Sequence, residues 1–425
     1  MKIIIVGGGW AGCAAAITAK KAGAEVHIYE KTDLLLGLGN VGGIMRNNGR
    51  FTASEELIAL GAGDLIKLTD KWSKHRNIDF PGHKHATLYD VNIIEGKVRE
   101  YLLDMGIKLH LEKRVKDVDV EKNKINGILL SDDTYVSGDV FIETTGSTGP
   151  MGNCLRYGNG CSMCVLRCPA FGPRLSISAR CGVQDIQGER EDDSLGAFSG
   201  SCKLAKESLS EDIRNELDQK GVVVLHVPEE DVNYDKLSTK VCQQYALKEF
   251  AENIVLLDTG HAKLMTTYYP LEKLRKIKGL EYAKYVDPYA GSKGNSIRYL
   301  SVAPRTNDMK VIGVDNLFCA GEKSGLFVGH TEAICTGSLA GHNAVRLMIG
   351  MPLLILPASI AIGDLIGYAN EKAATREGRM NRYTFAGAGY LKRMEELGLY
   401  TTDINEINTR MKKLNLDNIF EEKLV

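Results

Sequence analysis

Net charge is almost absent from this sequence of 425 residues. Its 53 lysines and arginines nearly balance 54 aspartates and glutamates, which leaves a formal charge of −1 at pH 7. A balanced chain has no overall attraction to nucleic acid or to an anionic membrane surface. RNA as a partner therefore receives no support from net charge.

Long apolar stretches are also missing. The longest apolar run near the C-terminal side, residues 351–362, is interrupted by Pro352 and Pro357. A helix needs ~20 apolar residues to cross a bilayer. The first residues, Lys2–Val6, predict a strand and not a secretion signal. We expect a cytoplasmic protein without a membrane partner.

Internal repeats and low-complexity segments are absent as well. Hydrophobic residues make up 44% of the chain and charged residues 25%, which is ordinary for a soluble globular protein. A chain of this length is expected to form two or three domains, or one dinucleotide-binding domain that carries large insertions.

A glycine-rich turn is present near the start of the chain, between a predicted strand and a predicted helix. Residues 7–12 read Gly-Gly-Gly-Trp-Ala-Gly and fit the pattern G-x-G-x-x-G. In this pattern Gly7 permits the tight turn and Gly9 lets the backbone approach a pyrophosphate. Gly12 lets the helix and the strand pack closely. The turn predicts a dinucleotide site.

The residues after the turn and after the second strand complete this predicted site. Trp10 and Ala11 begin the helix, whose free N–H groups and positive dipole end favour phosphates. Glu30 follows the second strand and can accept a hydrogen bond from a ribose hydroxyl, and Lys31 is next to it. We predict that these residues contact the cofactor.

Two later segments favour FAD over NAD. Residues 139–146 resemble the internal strand signature of two-dinucleotide-binding flavoproteins and end on Thr145 and Gly146. Residues 314–322 resemble the second flavin motif of these proteins and end on Gly321 and Glu322, where the acid meets the ribityl or pyrophosphate part of FAD. A plain NAD dehydrogenase needs no such C-terminal segment. FAD is the predicted cofactor.

With these segments the chain resembles the GidA-type FAD-dependent oxidoreductases. That family includes flavoproteins that modify uridine in transfer RNA, and one branch, the folate-dependent tRNA uracil-5 methyltransferases, takes its carbon from methylene-folate. The most specific segments are residues 329–333, 337–346 and 383–390. The resemblance implies an FAD-binding fold, whereas a fold alone does not assign a substrate.

The predicted fold class is α/β, with a Rossmann-like FAD domain of the two-dinucleotide-binding type, an inserted α+β substrate domain and a helical C-terminal region. The FAD domain is expected at residues 1–150 with a return segment at 306–350, the cysteine-containing insert at 151–305, and the helical region at 351–425. Further predicted elements are a functional loop at 34–48, helices at 54–74 and 91–105, and several strands between 108 and 142.

Four of the ten cysteines are clustered: Cys154, Cys161, Cys164 and Cys168. Structural disulfides are rare in a cytoplasmic chain, so the cluster indicates a metal, redox or catalytic role. The spacing of the last three, followed by proline, matches the latter part of a ferredoxin-type 4Fe–4S motif. The remaining ligand would be Cys154, Cys181 or Cys202. Two alternatives stay open, in which Cys161 and Cys164 act as redox or nucleophilic thiols beside the flavin, or the cysteines are structural.

Two residues near the second flavin motif are predicted catalytic groups. His330 would donate or accept a proton, and Lys323 would stabilise the anionic reduced flavin. The favoured function is an FAD-dependent oxidoreductase that moves hydride or electrons between a donor and an organic substrate or electron-transfer partner. The alternatives are an FAD-dependent tRNA-uridine modification enzyme and a non-catalytic flavin electron carrier. A homodimer is compatible with each.

Overall fold

The computed structural model describes residues 1–147, 174–193, 197–199, 202–240, 242–266, 269–286 and 296–425. Its strands are β1 (Lys2–Val6), β2 (Glu25–Tyr29), β3 (Ile44–Arg46), β4 (Ser73–Phe80), β5 (His83–Tyr89), β6 (Lys108–His110), β7 (Val115–Glu121), β8 (Lys124–Leu130), β9 (Tyr135–Ser137), β10 (Val140–Glu143), β11 (Ile186–Gln187), β12 (Ala197–Ser199), β13 (Cys202–Leu204), β14 (Val222–His226), β15 (Asn253–Asp258), β16 (Ala262–Leu264), β17 (Ser296–Arg298), β18 (Ser301–Val302) and β19 (Leu317–Cys319). The α-helices are Trp10–Lys21, Gly39–Gly42, Gly49–Ala59, Asp64–Lys71, Ile94–Asp104, Ile177–Arg180, Glu211–Lys220, Glu249–Glu252, Leu271–Leu274, His330–Met348, Ala361–Ala373, Arg376–Met380, Ala388–Glu396 and Ile404–Lys413.

A five-stranded parallel sheet forms the centre of the fold, in the order β19–β10–β1–β2–β6. The middle strand is β1, and its residues Ile3, Ile4 and Ile5 are fully buried. Burial of successive residues is typical of a parallel strand that is covered on both faces. The predicted α/β dinucleotide-binding fold is confirmed.

The carboxyl ends of four of these strands are in register. Val6 is paired with Tyr29 on one side and with Glu143 on the other, and Glu143 is paired with Cys319. Because the strands are parallel, the loops that follow these residues emerge at the same edge of the sheet. The glycine turn and Glu30 begin there, and the two later flavin signatures end there on Thr145–Gly146 and Gly321–Glu322.

Helices Trp10–Lys21 and His330–Met348 pack tightly against each other. A Cβ added at Gly337 would lie 2.2 Å from the carbonyl oxygen of Ala11, so the backbones approach more closely than a side chain allows. The hydroxyl of Thr18 donates a hydrogen bond of 2.9 Å to a backbone carbonyl of the other helix. This contact joins the first and second flavin signatures.

Smaller antiparallel sheets surround the parallel one. The three larger ones are, in order, β7–β8–β9, β3–β5–β4 and β13–β16–β15–β14, and β11–β18 and β12–β17 are two-stranded. The second and third of these share an apolar cluster that includes Leu88 and Phe250. The segment predicted as an insert therefore packs against the hairpin β4–β5 of the N-terminal part.

The helix predicted at residues 54–74 is wrong. The segment instead contains helices Gly49–Ala59 and Asp64–Lys71, followed by β4. Gly61 lies between the two helices with a φ of +86°, a left-handed conformation that ends the first helix. Strand β4 is mostly exposed and polar and is held by its pairing with β5.

The C-terminal region is helical, as predicted. Its helices do not form a separate core, because Tyr390 and Met411 belong to the same apolar cluster as Ile3 of the central sheet. Glu56 also ties this region to the N-terminal part, since its carboxylate accepts hydrogen bonds from the N–H groups of Ala361 and Ile362. Within the described ranges, no helix is long and apolar enough to cross a membrane.

The helix contact gives a stability prediction. Gly337→Ala should lower the free energy of unfolding by about 1–3 kcal/mol, because the new methyl group overpacks the interface with Ala11. Gly96→Ala is the matched control, since Gly96 is helical and an added Cβ meets nothing within 4 Å among the described atoms. It should be neutral or stabilising by up to about 1 kcal/mol. Urea unfolding measures both, and equal effects would contradict the tight contact.

Candidate functional site

The glycine turn has a specific geometry at each glycine. Gly7 has a φ of +106°, and a Cβ there would lie 2.5 Å from the carbonyl oxygen of Thr144. A Cβ at Gly12 would lie 2.0 Å from the carbonyl oxygen of Gly7, so Gly12 is needed for packing. At Gly9 a Cβ would meet no described atom within 4 Å. Gly9 thus borders open space into which a ligand can approach the backbone.

Glu30 is fixed beside this turn. One carboxylate oxygen accepts a hydrogen bond of 2.7 Å from the N–H of Gly8, and the other accepts one of 3.0 Å from the N–H of Thr32. Lys31, Lys113 and Arg114 lie around the same end of the site. The carboxylate is therefore held at the end of β2 in an environment that also carries basic side chains.

One elongated pocket connects the segments that the sequence singles out. It reaches from Glu30, past the glycine turn, to the start of helix His330–Met348 and on to a group of buried basic side chains. All predicted cofactor residues except Gly12 line it, namely Gly7, Gly9, Trp10, Ala11, Glu30, Lys31, Thr145, Gly146, Gly321 and Glu322.

The amino ends of two helices face this pocket. Trp10 and Ala11 begin one helix, and His330 begins the other after Gly329, which has a φ of +148°. Among the described residues, no side chain caps either helix at its first residue. The positive dipole ends of both helices therefore face the pocket.

A buried ion pair joins the first turn of helix His330–Met348 to Arg50, which lines the pocket. The Nε of Arg50 is 3.0 Å from Oε2 of Glu332, and both side chains are buried. Burial acts to lower the pKa of Arg50, but the adjacent carboxylate outweighs it and the pKa is raised. Glu332 also accepts hydrogen bonds from Thr384 and Phe385. Arg50 lines the pocket and was not selected in the sequence analysis.

The two predicted catalytic groups occupy different environments. His330 lines the pocket, and its ring lies 5.9 Å from the Trp10 ring, centroid to centroid. Lys323 is fully buried, and its ammonium donates hydrogen bonds to Asp185 at 2.6 Å and to Ser176 at 2.8 Å. Lys323 is not among the described residues that line the pocket.

A group of pocket residues was not predicted from the sequence. Lys240 and Lys263 are only 3% and 8% exposed, and they line the pocket together with Cys242 and Tyr245. Burial lowers the pKa of Lys240 to about 8. Burial, together with the nearby charge of Lys203, lowers the pKa of Lys263 to about 7. One sequence read by itself offers no signal that separates these lysines from exposed ones.

The predicted metal ligands Cys154, Cys161, Cys164 and Cys168 lie outside the described residues. Cys181 and Cys202, the other two choices for a ligand, form no disulfide with another described cysteine. No group of three or more metal-binding side chains occurs within the described part of the chain. The 4Fe–4S cluster therefore has no structural support.

The ion pair leads to a second stability prediction. Glu332→Gln should reduce the free energy of unfolding by about 3–5 kcal/mol, because it leaves the buried charge of Arg50 without its carboxylate. Glu396→Gln removes the partner of the exposed Lys392 and should cost no more than about 1 kcal/mol. Urea unfolding curves of both variants test this, and a small loss for Glu332→Gln would show that the pair is not a structural requirement.

Comparison with known proteins places the chain near tRNA-modifying enzymes. A methylenetetrahydrofolate–tRNA-(uracil-5-)-methyltransferase TrmFO of Dictyoglomus turgidum is 36% identical over 104 residues, 24% of this chain and 23% of the relative. A tRNA uridine 5-carboxymethylaminomethyl modification enzyme MnmG of Prochlorococcus marinus is 24% identical over 426 aligned residues, 86% of this chain and 64% of the relative. The chain thus spans less than two thirds of the length of either relative.

The solved structure of Aquifex aeolicus GidA has the same fold. It superposes with a TM-score of 0.62 at 16% identity, over 97% of this chain and 76% of that one. The family model described as "Glucose inhibited division protein A" matches residues 2–254 and 236–352, which is most of the chain. The resemblance to GidA-type flavoproteins is confirmed, and this chain belongs to the GidA family.

Proposed function

We propose that the elongated pocket binds FAD and that the protein is an FAD-dependent enzyme that modifies uridine in transfer RNA. The observation that carries the proposal is the convergence of Gly9, Thr145–Gly146 and Gly321–Glu322 on one pocket in a chain that belongs to the GidA family. Names of relatives from two enzyme groups in this family specify tRNA uridine or uracil. This supports the tRNA alternative over an unspecified oxidoreductase.

The residues around the turn fit a pyrophosphate. The space beside Gly9 is open, and the N–H groups of Trp10 and Ala11 begin a helix there. The buried hydroxyl oxygen of Ser147 has no hydrogen-bond partner among the described residues and also lines the pocket. A bound phosphate would supply the missing partner. We propose that Gly7, Gly9, Trp10 and Ala11 hold the pyrophosphate, while Gly12 acts through packing.

The two ends of the pocket suit the two ends of the cofactor. Glu30 would accept from the adenosine ribose, with Lys31 beside it, as in other dinucleotide sites. Gly321 and Glu322 would contact the ribityl side, and Thr145 and Gly146 the middle of the cofactor. When bound, FAD supplies hydride or electron transfer.

Near the flavin end, His330 and Arg50 are two described residues of the pocket that can act on a substrate. His330 lies at a helix start and lines the pocket, so we propose that it holds or moves a proton there. Arg50 keeps its charge because of Glu332 and can attract electron density. Lys323 forms a buried ion pair with Asp185, so we propose a structural role for it.

The methyl-transfer branch of the family is a weaker candidate than other uridine chemistry. The resemblance to that branch implies a nucleophilic cysteine in the region after the second strand. Residues 32–149 of this chain contain no cysteine. An iron–sulfur cluster on Cys154, Cys161, Cys164 and Cys168 stays a separate prediction, as does a thiol role for Cys161 and Cys164. The uridine proposal depends on neither.

Cofactor binding gives a third prediction. Gly9→Val should abolish flavin binding with little change in the stability of the flavin-free protein, because its side chain enters the pocket and meets no protein atom within 4 Å of its Cβ. Visible flavin absorbance after purification, and after addition of FAD, measures binding. Gly96→Ala should retain the flavin. Wild-type protein that contains no flavin and takes up none would overturn the cofactor assignment.

A fourth prediction concerns the substrate. The purified flavoprotein should bind tRNA with an affinity that falls as salt rises. It should also alter a uridine in tRNA from cells that lack this protein, as seen by mass spectrometry of nucleosides. The Gly9→Val variant should bind tRNA but leave the nucleosides unchanged. If flavin is present but tRNA neither binds at low salt nor changes, an oxidoreductase or electron carrier is the better assignment.

A further inference from the structure

The inner end of the pocket contains positive charge that the proposed roles do not use. Lys240 and Lys263 line the pocket, and Lys263 reaches the carbonyl of Val41, next to Gly42. Both side chains are more than nine-tenths buried, at 3% and 8% exposure. A lysine is rarely buried to this extent unless it is paired.

The partners of these two lysines are neutral. The ammonium of Lys240 donates a hydrogen bond of 3.0 Å to the carbonyl of Met265, and that of Lys263 donates one of 3.0 Å to the carbonyl of Val41. Within the described part of the chain, neither forms an ion pair with a carboxylate. Lys323, by contrast, is buried against Asp185.

A third lysine increases the local charge. Lys203 is the direct cross-strand partner of Lys263 in the ladder between β13 and β16, so their side chains lie on the same face of the sheet. Like charges that are directly opposite each other destabilise a sheet. Burial also lowers the pKa of Lys203. An anion bound beside these lysines would offset their mutual repulsion and favour their protonated forms.

Aromatic side chains restrict the room around Lys240. Its ammonium lies 5.8 Å from the centre of the Tyr245 ring and 5.6 Å from that of Phe250. These rings stabilise a cation weakly but cannot neutralise it. Because Lys240 is almost fully buried, a small molecule can reach it more readily than the backbone of a folded RNA can.

We propose that Lys240 and Lys263 form a binding subsite for the compact oxyanion, a carboxylate or a phosphate, of a small-molecule co-substrate. The subsite lies in the same pocket as the proposed flavin, so this inference rests on the proposed function and names its second substrate class. The anion supplies the charge that the two carbonyl partners lack. The rest of the co-substrate then extends along the pocket towards His330, whose ring packs against Gly42.

The experiment uses the purified wild-type protein with acetate, inorganic phosphate and neutral acetamide as probes. Isothermal titration calorimetry and the flavin absorption spectrum follow binding. Acetate or phosphate should bind more tightly than acetamide, and whichever of the two binds more tightly identifies the carboxylate or phosphate source. Equal binding of acetamide and both anions would overturn the proposal.

Substitution of each lysine tests whether Lys240 and Lys263 bind the anion. Lys240→Met and Lys263→Met should each weaken anion binding about tenfold or more, because a charge-assisted hydrogen bond is lost. Lys220→Met is the control, since Lys220 is exposed and paired with Glu216, and it should bind the anion as the wild type does. Unchanged affinity in the double variant would overturn the proposal.

A second measurement needs no variant and covers the case in which the methionine variants do not fold. Reductive methylation of the wild-type lysines, with and without the anion, is read by peptide mass spectrometry. Lys240 and Lys263 should be protected by the anion and Lys220 should not, whereas no protection of either would contradict the subsite. Flavin absorbance is recorded on the same samples. Protein without flavin that still binds the anion would refute the flavin proposal and keep this one.

Discussion

Backbone hydrogen bonds among β19, β10, β1 and β2 hold Cys319, Glu143, Val6 and Tyr29 at one level across the sheet. The three motif segments that line the pocket leave the sheet from this level. The glycine turn, the Thr145–Gly146 loop and the Gly321–Glu322 turn can therefore converge although they are far apart in sequence. If one strand slipped by a residue, its side chains would exchange the two faces of the sheet, so the packing of the core and the alignment of the pocket are fixed together.

Much of the central fold could be predicted because its signals are local. The strand, glycine turn and helix at residues 2–21 form a motif whose steric requirements are readable from glycine positions alone. The hairpin β4–β5 could not be predicted in this way. Its strand β4 is polar, and what holds it is pairing with β5 and packing of its partner against Phe250, which is distant in the chain. Tertiary contacts override local propensity in such a segment.

The pocket likewise contains residues that local motifs predict and residues that only the tertiary structure shows. Ten of its residues follow from motifs, whereas Arg50, Lys240 and Lys263 do not. A lysine in a sequence predicts an exposed side chain, and only the folded chain shows that Lys263 is 8% exposed and faces a ligand-sized space. His83 is a related case, since its sequence context suggests a surface loop. It is buried in β5, where Gln244 and Asn47 hold its ring, and burial lowers its pKa to about 3.

The contact between helices Trp10–Lys21 and His330–Met348 also has a kinetic meaning. The hydrogen bond from Thr18 to Ser338 joins residues that are 320 positions apart. Closing so long a loop costs chain entropy before any contact compensates for it, and proteins that depend on distant contacts fold slowly. The dinucleotide pocket is complete only when the beginning of the chain meets this late helix. Cofactor capture would then mark the end of folding, and a nascent chain would expose its glycine turn until the return segment has been synthesised.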